Sequence, residues 1–269
     1  MNEQSLRLGL VGKDVSKSDS EKIHTFILGE WGVTCQYQRF SVKADEIDGV
    51  MRTLLGDFDG FNITIPYKRD VFEYLDEITG DALSCGAVNT VVCAEKKGYN
   101  TDGVGFLQML SMAGIETNGK KVLVLGAGGS GRSTAVALKN AGAKVWMYRR
   151  NQAELKEVCE QLGVNVASLA DTGGYDILIN CTGVGMHDSE GKSPVGVNAF
   201  LGASVAVDLI YTPAQSEFLR LAKTQGLQTL NGASMLFYQA YYADCLYLKK
   251  EPNQNEAQLL YEKYLKING

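Results

Sequence analysis

Hydrophobic residues follow two alternating spacings along the chain. Short apolar runs of strand length are separated by segments in which apolar residues recur every three or four positions. Residues 6–11 are a run of the first kind, whereas residues 47–55 have the spacing of an amphipathic helix. This alternation of strand and helix patterns predicts an α/β protein.

The segment that begins at Phe61 alternates strictly between apolar and polar side chains. A strand with this pattern directs Phe61, Ile63 and Ile65 inward. Asn62 and Thr64 then share the opposite face, which is either a solvated sheet face or part of a binding site.

From residue 120 onward the pattern is more regular. Strands are predicted at residues 122–125, 144–148, 164–168, 176–181 and 205–210, and helices at residues 130–141, 153–162, 233–249 and 254–265. Strands that alternate with helices in this way predict a doubly wound parallel sheet of the Rossmann type. We therefore divide the chain into domains at residues 1–103 and 104–232, followed by C-terminal helices at residues 233–269.

The charge balance excludes some classes of partner. The chain has 269 residues, with 26 basic and 31 acidic side chains and a formal net charge of −5. We expect neither nucleic acid nor an anionic membrane surface as the main partner, because both favour clustered Lys and Arg. The sequence has no run of about 18 apolar residues, so no membrane-spanning helix is expected. Glycine contributes 30 of the 269 residues, about 11%, whereas an average protein has roughly 7%. This excess predicts tight turns and close backbone approaches.

The six cysteines are scattered and form no C-x-x-C pair. We expect reduced, mostly buried thiols in a cytoplasmic protein. Only two histidines occur, His24 and His187, so a histidine-rich metal site is excluded and no bound metal is expected.

A glycine-rich loop, GAGGSG, follows the first strand of the regular region and opens a predicted helix. It has the G-x-G-x-x-G pattern in the setting that the pattern requires. Gly126 allows a tight turn, Gly128 lets the backbone approach a pyrophosphate, and Gly131 lets the helix pack closely on the strand. Ala127 and Gly129 complete the loop, where free N–H groups of the helix N-terminus suit phosphates. The pattern predicts a dinucleotide site, with an empty α/β loop or a nucleoside-binding methyltransferase as the alternative.

Two arginines follow the second strand of this region. That position distinguishes the dinucleotides, because an NAD site has Asp or Glu there for the ribose 2′-hydroxyl. Arg149 and Arg150 instead offer two guanidinium groups to a 2′-phosphate. We therefore predict NADP as the cofactor, with a solvated surface pair as the alternative. Glu154, in the following helix, is expected to be solvated and screened by salt.

Lys68 and Asp102 offer a proton donor and a carboxylate. Lys68 lies just beyond the strand that begins at Phe61, and Asp102 lies in an Asn-Thr-Asp-Gly stretch at the junction of the two domains. Neutral hydroxyl and amide groups nearby suit a polyhydroxylated ligand. A simple Asx turn is the alternative account of the Asn-Thr-Asp-Gly stretch.

The segment that begins at Ser18 precedes a predicted helix. Ser18 and Glu21 match a capping box, which stabilises a helix N-terminus by about 1 kcal/mol. From the residues alone, capping is the expected role of these two side chains.

Taken in order, these and other segments resemble the shikimate dehydrogenase family over nearly the whole chain. The similar segments are Gly12, residues 18–20, 23–24, 62–68, 86–90, 100–105, 126–129, 180–182, 208–211 and 232–236, and Gln239.

The resemblance implies reversible, NADPH-dependent reduction of 3-dehydroshikimate to shikimate, with hydride transfer in a cleft between two domains. It implies that Lys68 and Asp102 carry catalysis, that the first domain binds the substrate, and that the C-terminal helices pack on it. A monomer or homodimer is expected. Asp102 is also implied to hold the substrate, together with Ser18, Ser20, Thr64, Asn89, Tyr211 and Gln239. The residues implied to contact NADP are Gly126, Ala127, Gly128, Gly129, Gly131, Arg149, Arg150, Thr182, Leu209 and Gly232.

Lys17, Glu21 and Glu154 depart from the usual pattern of the family. Two related activities stay open, namely a quinate/shikimate dehydrogenase that uses NAD and a paralogue that binds these ligands without turnover. A pair of serine side chains leaves less room for the C1 hydroxyl of quinate than Ser with Gly, which favours shikimate. The intact lysine and carboxylate argue against the paralogue.

Overall fold

The computed structural model describes residues 4–168 and 173–268. The first part of the chain contains β1 (Ser5–Gly12), α1 (Ser20–Glu30), β2 (Thr34–Ser41), α2 (Ile47–Asp57), β3 (Gly60–Ile63), β4 (Glu77–Ile78), α3 (Gly80–Cys85), β5 (Thr90–Val92), β6 (Lys97–Tyr99) and α4 (Asp102–Met112). The second part contains β7 (Lys121–Leu125), α5 (Gly129–Asn140), β8 (Lys144–Tyr148), α6 (Gln152–Leu162), β9 (Asn165–Val166), β10 (Ile177–Asn180), β11 (Val205–Asp208), α7 (Glu217–Thr224), β12 (Gln228–Asn231), α8 (Ala233–Tyr247) and α9 (Gln254–Asn268). The prediction of an α/β protein is confirmed.

The described residues form two compact units. The first unit comes from Met1–Gly105 with Leu236–Gly269, and the second comes from Phe106–Met235. Each boundary therefore falls within a helix, one in α4 and the other in α8.

The first unit contains a mixed six-stranded sheet in the order β2-β1-β3-β5-β6-β4. β1 pairs in parallel with β2 and β3, and β5 runs antiparallel to β3. All four residues of β3 are buried, because helices cover both of its faces. Phe61 packs in one cluster with Met51 and Leu54 of α2. Tyr247 of α8 lies against Gly60.

β3 is shorter than the predicted strand and ends at Ile63. The inward orientation predicted for Phe61 and Ile63 is confirmed, since both are at most 2% exposed. The prediction is wrong for Ile65, which is 69% exposed. The chain turns out of the sheet at this point, because the Tyr67 N–H donates to the Thr64 carbonyl at 3.1 Å.

The second unit contains an all-parallel six-stranded sheet in the order β12-β11-β10-β7-β8-β9. All four residues of β10 and of β11 are buried, as is usual for parallel strands with helices on both faces. The strand order reverses between β7 and β10, and dinucleotides bind outside the carboxyl ends of the strands at such a point. The predicted doubly wound sheet is confirmed.

The C-terminal helices pack on the first unit through aromatic contacts. The ring of Phe26 in α1 lies 6.3 Å from that of Phe237 in α8 and 5.3 Å from that of Tyr264 in α9. Trp31 lies 5.5 Å from Tyr241 in an edge-to-face arrangement. This packing confirms what the family resemblance implied. Across residues 4–168 and 173–268, no helix combines the length and apolar character needed to cross a membrane.

The close approach of β3 to α8 yields a test of the packing. A Cβ on Gly60 would lie 2.3 Å from Tyr247 Cε1 and 2.9 Å from the Val91 carbonyl oxygen. We expect Gly60→Ala to lower the free energy of unfolding by about 1–3 kcal/mol, measured by urea denaturation. Gly49→Ala is the control, because its Cβ in α2 would meet nothing within 4 Å and should stabilise by up to about 1 kcal/mol. Equal effects of the two substitutions would contradict the packing described.

Candidate active site

Lys68 and Asp102 form a buried ion pair in the first unit. Lys68 follows the turn after β3, and Asp102 is the first residue of α4. Lys68 Nζ donates to Asp102 Oδ2 at 2.5 Å, and the two residues are only 8% and 6% exposed. Two charges withdrawn from water to this extent require further hydrogen bonds to their remaining polar atoms.

Asn89 supplies the second hydrogen bond to the carboxylate. Its Nδ2 donates to Asp102 Oδ1 at 2.8 Å, and its Oδ1 accepts from the Thr101 N–H at 2.9 Å. The Thr90 hydroxyl also donates to Asn89 Oδ1, at 2.9 Å. Both oxygens of Asp102 therefore have a partner, and Asn89 fixes the carboxylate and the backbone that precedes it.

The Asx turn expected at Asn100 is present. Asn100 Oδ1 accepts from the Asp102 N–H at 3.1 Å, and Asn100 Nδ2 donates to the Ala87 carbonyl at 2.8 Å. The turn and the candidate site are thus one structure, because the turn sets the start of α4 and hence the position of Asp102.

The polar network extends across the sheet through Asn62. A solvated sheet face was one of two interpretations of Asn62, and it is wrong because Asn62 is only 5% exposed. Its Nδ2 donates to Thr90 Oγ1, and its Oδ1 accepts from the Tyr37 hydroxyl, both at 3.2 Å. Tyr37 and Thr90 were not predicted as site residues, because Tyr and Thr are common in strands and neither belongs to a pattern that indicates a site.

The serines predicted to bind substrate lie together at the start of α1. Ser18 Oγ donates to Ser20 Oγ at 2.9 Å. The predicted capping box is wrong, because the residue before the helix is Asp19, whose side chain makes no capping bond, and the Ser18 hydroxyl accepts from the Ser20 N–H at 3.2 Å. Glu21 instead forms an ion pair with Arg39 at 3.4 Å.

Three further residues predicted to contact substrate differ in their surroundings. In the part of the chain that the structure describes, the Thr64 hydroxyl accepts and donates no hydrogen bond, so it is available to a ligand. Gln239 Nε2 donates to the Leu236 carbonyl at 2.8 Å, and its backbone lies against Gly105, where a Cβ would be 2.7 Å from the Gln239 nitrogen. Tyr211 follows β11 and belongs to the second unit, whereas Thr64 and Gln239 belong to the first.

A buried His–Asp pair joins the helices that carry Ser20 and Gln239. His24 Nδ1 and Asp244 Oδ1 are 2.6 Å apart, and both side chains are fully buried. Burial raises the pKa of the Asp244 carboxyl, and the nearby His24 opposes that shift. The Tyr37 ring stacks on His24 with centroids 5.0 Å apart. No sequence pattern indicated this pair, because Asp244 lies in an apolar helix with no local motif.

All six cysteines are free, and four of them are buried. Cys85 lies close to the Lys68–Asp102 pair, and burial raises the pKa of its thiol to about 11. It is therefore a neutral thiol at physiological pH. Among the described residues, no group of three or more His, Cys, Asp or Glu side chains is placed to hold a metal ion.

In the second unit, the glycine loop has the geometry of a phosphate cradle. Gly126 has a φ of 105°, which favours glycine, and its N–H donates to the Tyr148 carbonyl at 2.8 Å. A Cβ on Gly131 would lie 2.2 Å from the Gly126 carbonyl oxygen, so α5 can approach β7 only with glycine there. Gly128 is exposed and precedes α5 with no side-chain cap, and Ala127 and Gly129 flank it. The first N–H groups of α5 are thus available to an anion.

The two arginines after β8 differ in their contacts. Arg149 forms an ion pair with Glu154 at 2.5 Å. The expectation of a solvated Glu154 is confirmed, because its side chain is 54% exposed, although its carboxylate also contacts a guanidinium. Arg150 is exposed, and residues 4–168 and 173–268 offer it no ion-pair partner.

The remaining predicted cofactor residues follow the carboxyl ends of neighbouring strands. Thr182 follows β10, and its hydroxyl donates to Asn180 Oδ1 at 2.6 Å. The Leu209 N–H, after β11, donates to the Asn180 carbonyl at 2.9 Å. A Cβ on Gly232, after β12, would lie 2.1 Å from the Leu209 carbonyl oxygen. These positions therefore share the sheet edge where the glycine loop lies.

A glycine loop on an all-parallel sheet and a buried lysine–carboxylate pair in a separate α/β unit define a dinucleotide-dependent oxidoreductase. The family model of the shikimate dehydrogenase substrate binding domain matches residues 10–91. Shikimate dehydrogenase (NADP(+)) of Thermus thermophilus is 36% identical over 240 residues, which cover 88% of this chain and 90% of that protein. The chain belongs to the shikimate dehydrogenase family, as its motifs indicated.

Solved structures agree with this assignment. The shikimate 5-dehydrogenase of Thermus thermophilus in complex with NADP(H) and shikimate matches with a TM-score of 0.88 and 33% identity, covering 96% of this chain and 99% of that one. The quinate dehydrogenase of Corynebacterium glutamicum in complex with NAD matches with a TM-score of 0.83 and 27% identity, covering 97% and 99%. Chains with this fold thus occur with either dinucleotide.

Proposed function

We propose that this chain is a shikimate dehydrogenase that reduces 3-dehydroshikimate to shikimate, reversibly, with NADPH. The observation that carries the proposal is the buried ion pair of Lys68 with Asp102, in a chain that is 36% identical to a shikimate dehydrogenase. A buried lysine held at a defined position is suited to general acid–base catalysis at a carbonyl.

The reaction adds a hydride to the carbonyl carbon and a proton to the oxygen. Bound NADPH supplies the hydride. We assign the proton to Lys68, whose N–H bond breaks as the O–H bond of shikimate forms. The neutral amine that remains takes a proton from water, and in the oxidation direction it accepts the hydroxyl proton. Asp102 holds Nζ in place through the 2.5 Å contact.

The low exposure of the pair also favours catalysis electrostatically. The ammonium group acts on the developing alkoxide from a site with little water, where charge interactions are stronger than in bulk solvent. Asn89 fixes the carboxylate, so the donor needs little reorganisation during the reaction.

We assign substrate binding to hydroxyl and amide groups of the first unit. The paired hydroxyls of Ser18 and Ser20 suit a carboxylate, and the Thr64 hydroxyl is available to donate to a ligand oxygen. Gln239 is proposed to contribute an amide from α8, and Tyr211 a phenol from the second unit. Asn89 is proposed to contact the substrate beside its hydrogen bonds to Asp102 and Thr101.

We propose NADP as the cofactor. Gly131 lies so close to the Gly126 carbonyl oxygen that a side chain there would clash, so helix α5 starts directly behind the loop. The N–H groups at the start of α5 are then placed for a pyrophosphate. Arg150 is an exposed guanidinium at the strand end where the 2′-phosphate of NADP is recognised, and the three residues that follow β8, Arg149 to Asn151, include no Asp or Glu. A cytoplasmic location and a monomeric or homodimeric state stay predictions.

One assay tests the proposed activity against its rivals. The purified chain is offered shikimate or quinate, each with NADP or NAD, and the absorbance of the reduced nicotinamide is followed. We expect shikimate with NADP to give the highest kcat/KM. A preference for quinate with NAD would favour a quinate-type enzyme, and no turnover with any pair would favour a non-catalytic paralogue.

Lys68→Ala tests the proton donor. We expect kcat to fall by roughly 10²–10⁴-fold, because general acid catalysis contributes about that much, while the Kd of NADP stays unchanged. Lys43→Ala, at an exposed lysine of the same unit, is the control and should leave kcat unchanged. If Lys68→Ala keeps more than about a tenth of the wild-type kcat, another group donates the proton.

Arg150→Ala tests the recognition of NADP. Hydrogen bonds to a charged group contribute about 1.5–3 kcal/mol each, so we expect the wild type to favour NADP over NAD by at least about tenfold in kcat/KM at low salt. The substitution should lower kcat/KM with NADP so that most of this preference is lost, and it should leave the rate with NAD unchanged. Lys156→Ala, an exposed cation in α6, should leave the ratio intact. An unchanged ratio in Arg150→Ala would show that Arg150 does not contact the phosphate.

A further inference from the structure

The ion pair between Arg149 and Glu154 makes the two arginines after β8 unequal. Arg149 Nη1 and Glu154 Oε2 are 2.5 Å apart, and the Arg149 side chain is 35% exposed. Arg150 has no such partner in the described part of the chain. The strand end therefore offers one free positive charge and one that is already compensated.

Glu154 is itself fixed by the start of α6. Its Oε1 accepts from Asn151 Nδ2 at 2.7 Å, and its N–H donates to Asn151 Oδ1 at 3.4 Å. Asn151 thus caps the helix as in a capping box, except that the Glu154 carboxylate accepts from the side-chain amide of Asn151 and not from its backbone N–H. One carboxylate oxygen is thus held by the cap while the other contacts Arg149. Glu154 is an anchored counter-charge at the proposed phosphate site.

We propose that Glu154 is a specificity-determining residue that lowers the preference of this chain for NADP over NAD. The inference rests on the proposed function, because it concerns the same cofactor site. A 2′-phosphate that contacts Arg149 must either displace Glu154 or bind beside a like charge, and both cost free energy. NAD has no 2′-phosphate and meets neither cost.

Glu154→Gln tests this inference by direct binding. The amide keeps an oxygen for the Asn151 contact and replaces the oxygen that faces Arg149 with an NH₂ group, so Arg149 is released while the cap is retained. By isothermal titration calorimetry at low salt, we expect the Kd of NADP to fall by at least about tenfold, as one charge-assisted hydrogen bond is gained, and the Kd of NAD to stay unchanged. Adenosine 2′,5′-bisphosphate, which has no nicotinamide, should show the same gain.

Two further variants separate the ion pair from the general effect of charge. Glu157→Gln removes an equal charge from an exposed position of α6, where the described residues provide no ion-pair partner, and should change the Kd of NADP little. Arg149→Ala should have a small effect in the wild type, where Arg149 is paired, and should abolish the gain in the Glu154→Gln background. This non-additivity is the signature of a direct contact.

The outcomes are distinguishable from failure of the proposed function. If NADP binds the wild type but Glu154→Gln leaves its Kd unchanged or raises it, Glu154 does not oppose the phosphate and the inference is overturned while the activity stands. Equal tightening by Glu157→Gln would also overturn it, because the effect would then be one of net charge. If neither dinucleotide binds the wild type, the proposed function itself fails and the inference fails with it.

Discussion

A buried pair of opposite charges sets the requirements for the first unit. Removing Lys68 and Asp102 from water costs several kcal/mol per ion, which is offset only if the pair is close and its other polar atoms are hydrogen-bonded. For the carboxylate, Asn89 supplies this hydrogen bond directly, and Asn62 and Thr90 extend the network that holds Asn89. This is why polar side chains occur along β3 and β5, in the middle of a sheet that is buried on both faces.

The second unit also contains a buried carboxylate that needs hydrogen-bond partners. Asp208, at the end of β11, accepts hydrogen bonds from Asn180 Nδ2, the Ile210 N–H and the Ser216 hydroxyl. Burial raises the pKa of Asp208, and these hydrogen bonds oppose the shift. The network fixes the loops after β10 and β11, where Thr182 and the proposed dinucleotide site lie. In both units, therefore, buried polar networks hold the segments that follow the strands, and ligands are proposed to bind at these segments.

The spacing of apolar residues predicted most interior strands and most helices, because buried elements need such residues at fixed intervals, but it missed the three-residue interior strand β6 and the helix α4 that begins at Asp102. It did not predict β2 and β12, which are edge strands without a buried residue, or α7, whose eight residues are too few for a periodic pattern. Family motifs indicated Lys68 and Asp102, although 34 residues separate them. No local pattern indicated the pairing of His24 with Asp244, 220 residues apart, because only tertiary packing brings them together.

We propose that Lys68 and Asp102 act as one catalytic unit. The most direct measurement is a double-mutant cycle on kcat with Lys68→Ala, Asp102→Asn and the variant that carries both substitutions. Groups that act as a unit are strongly non-additive, so the double variant should be about as slow as Lys68→Ala alone. If the two effects multiply instead, each residue acts independently, and the buried ion pair is not the basis of catalysis.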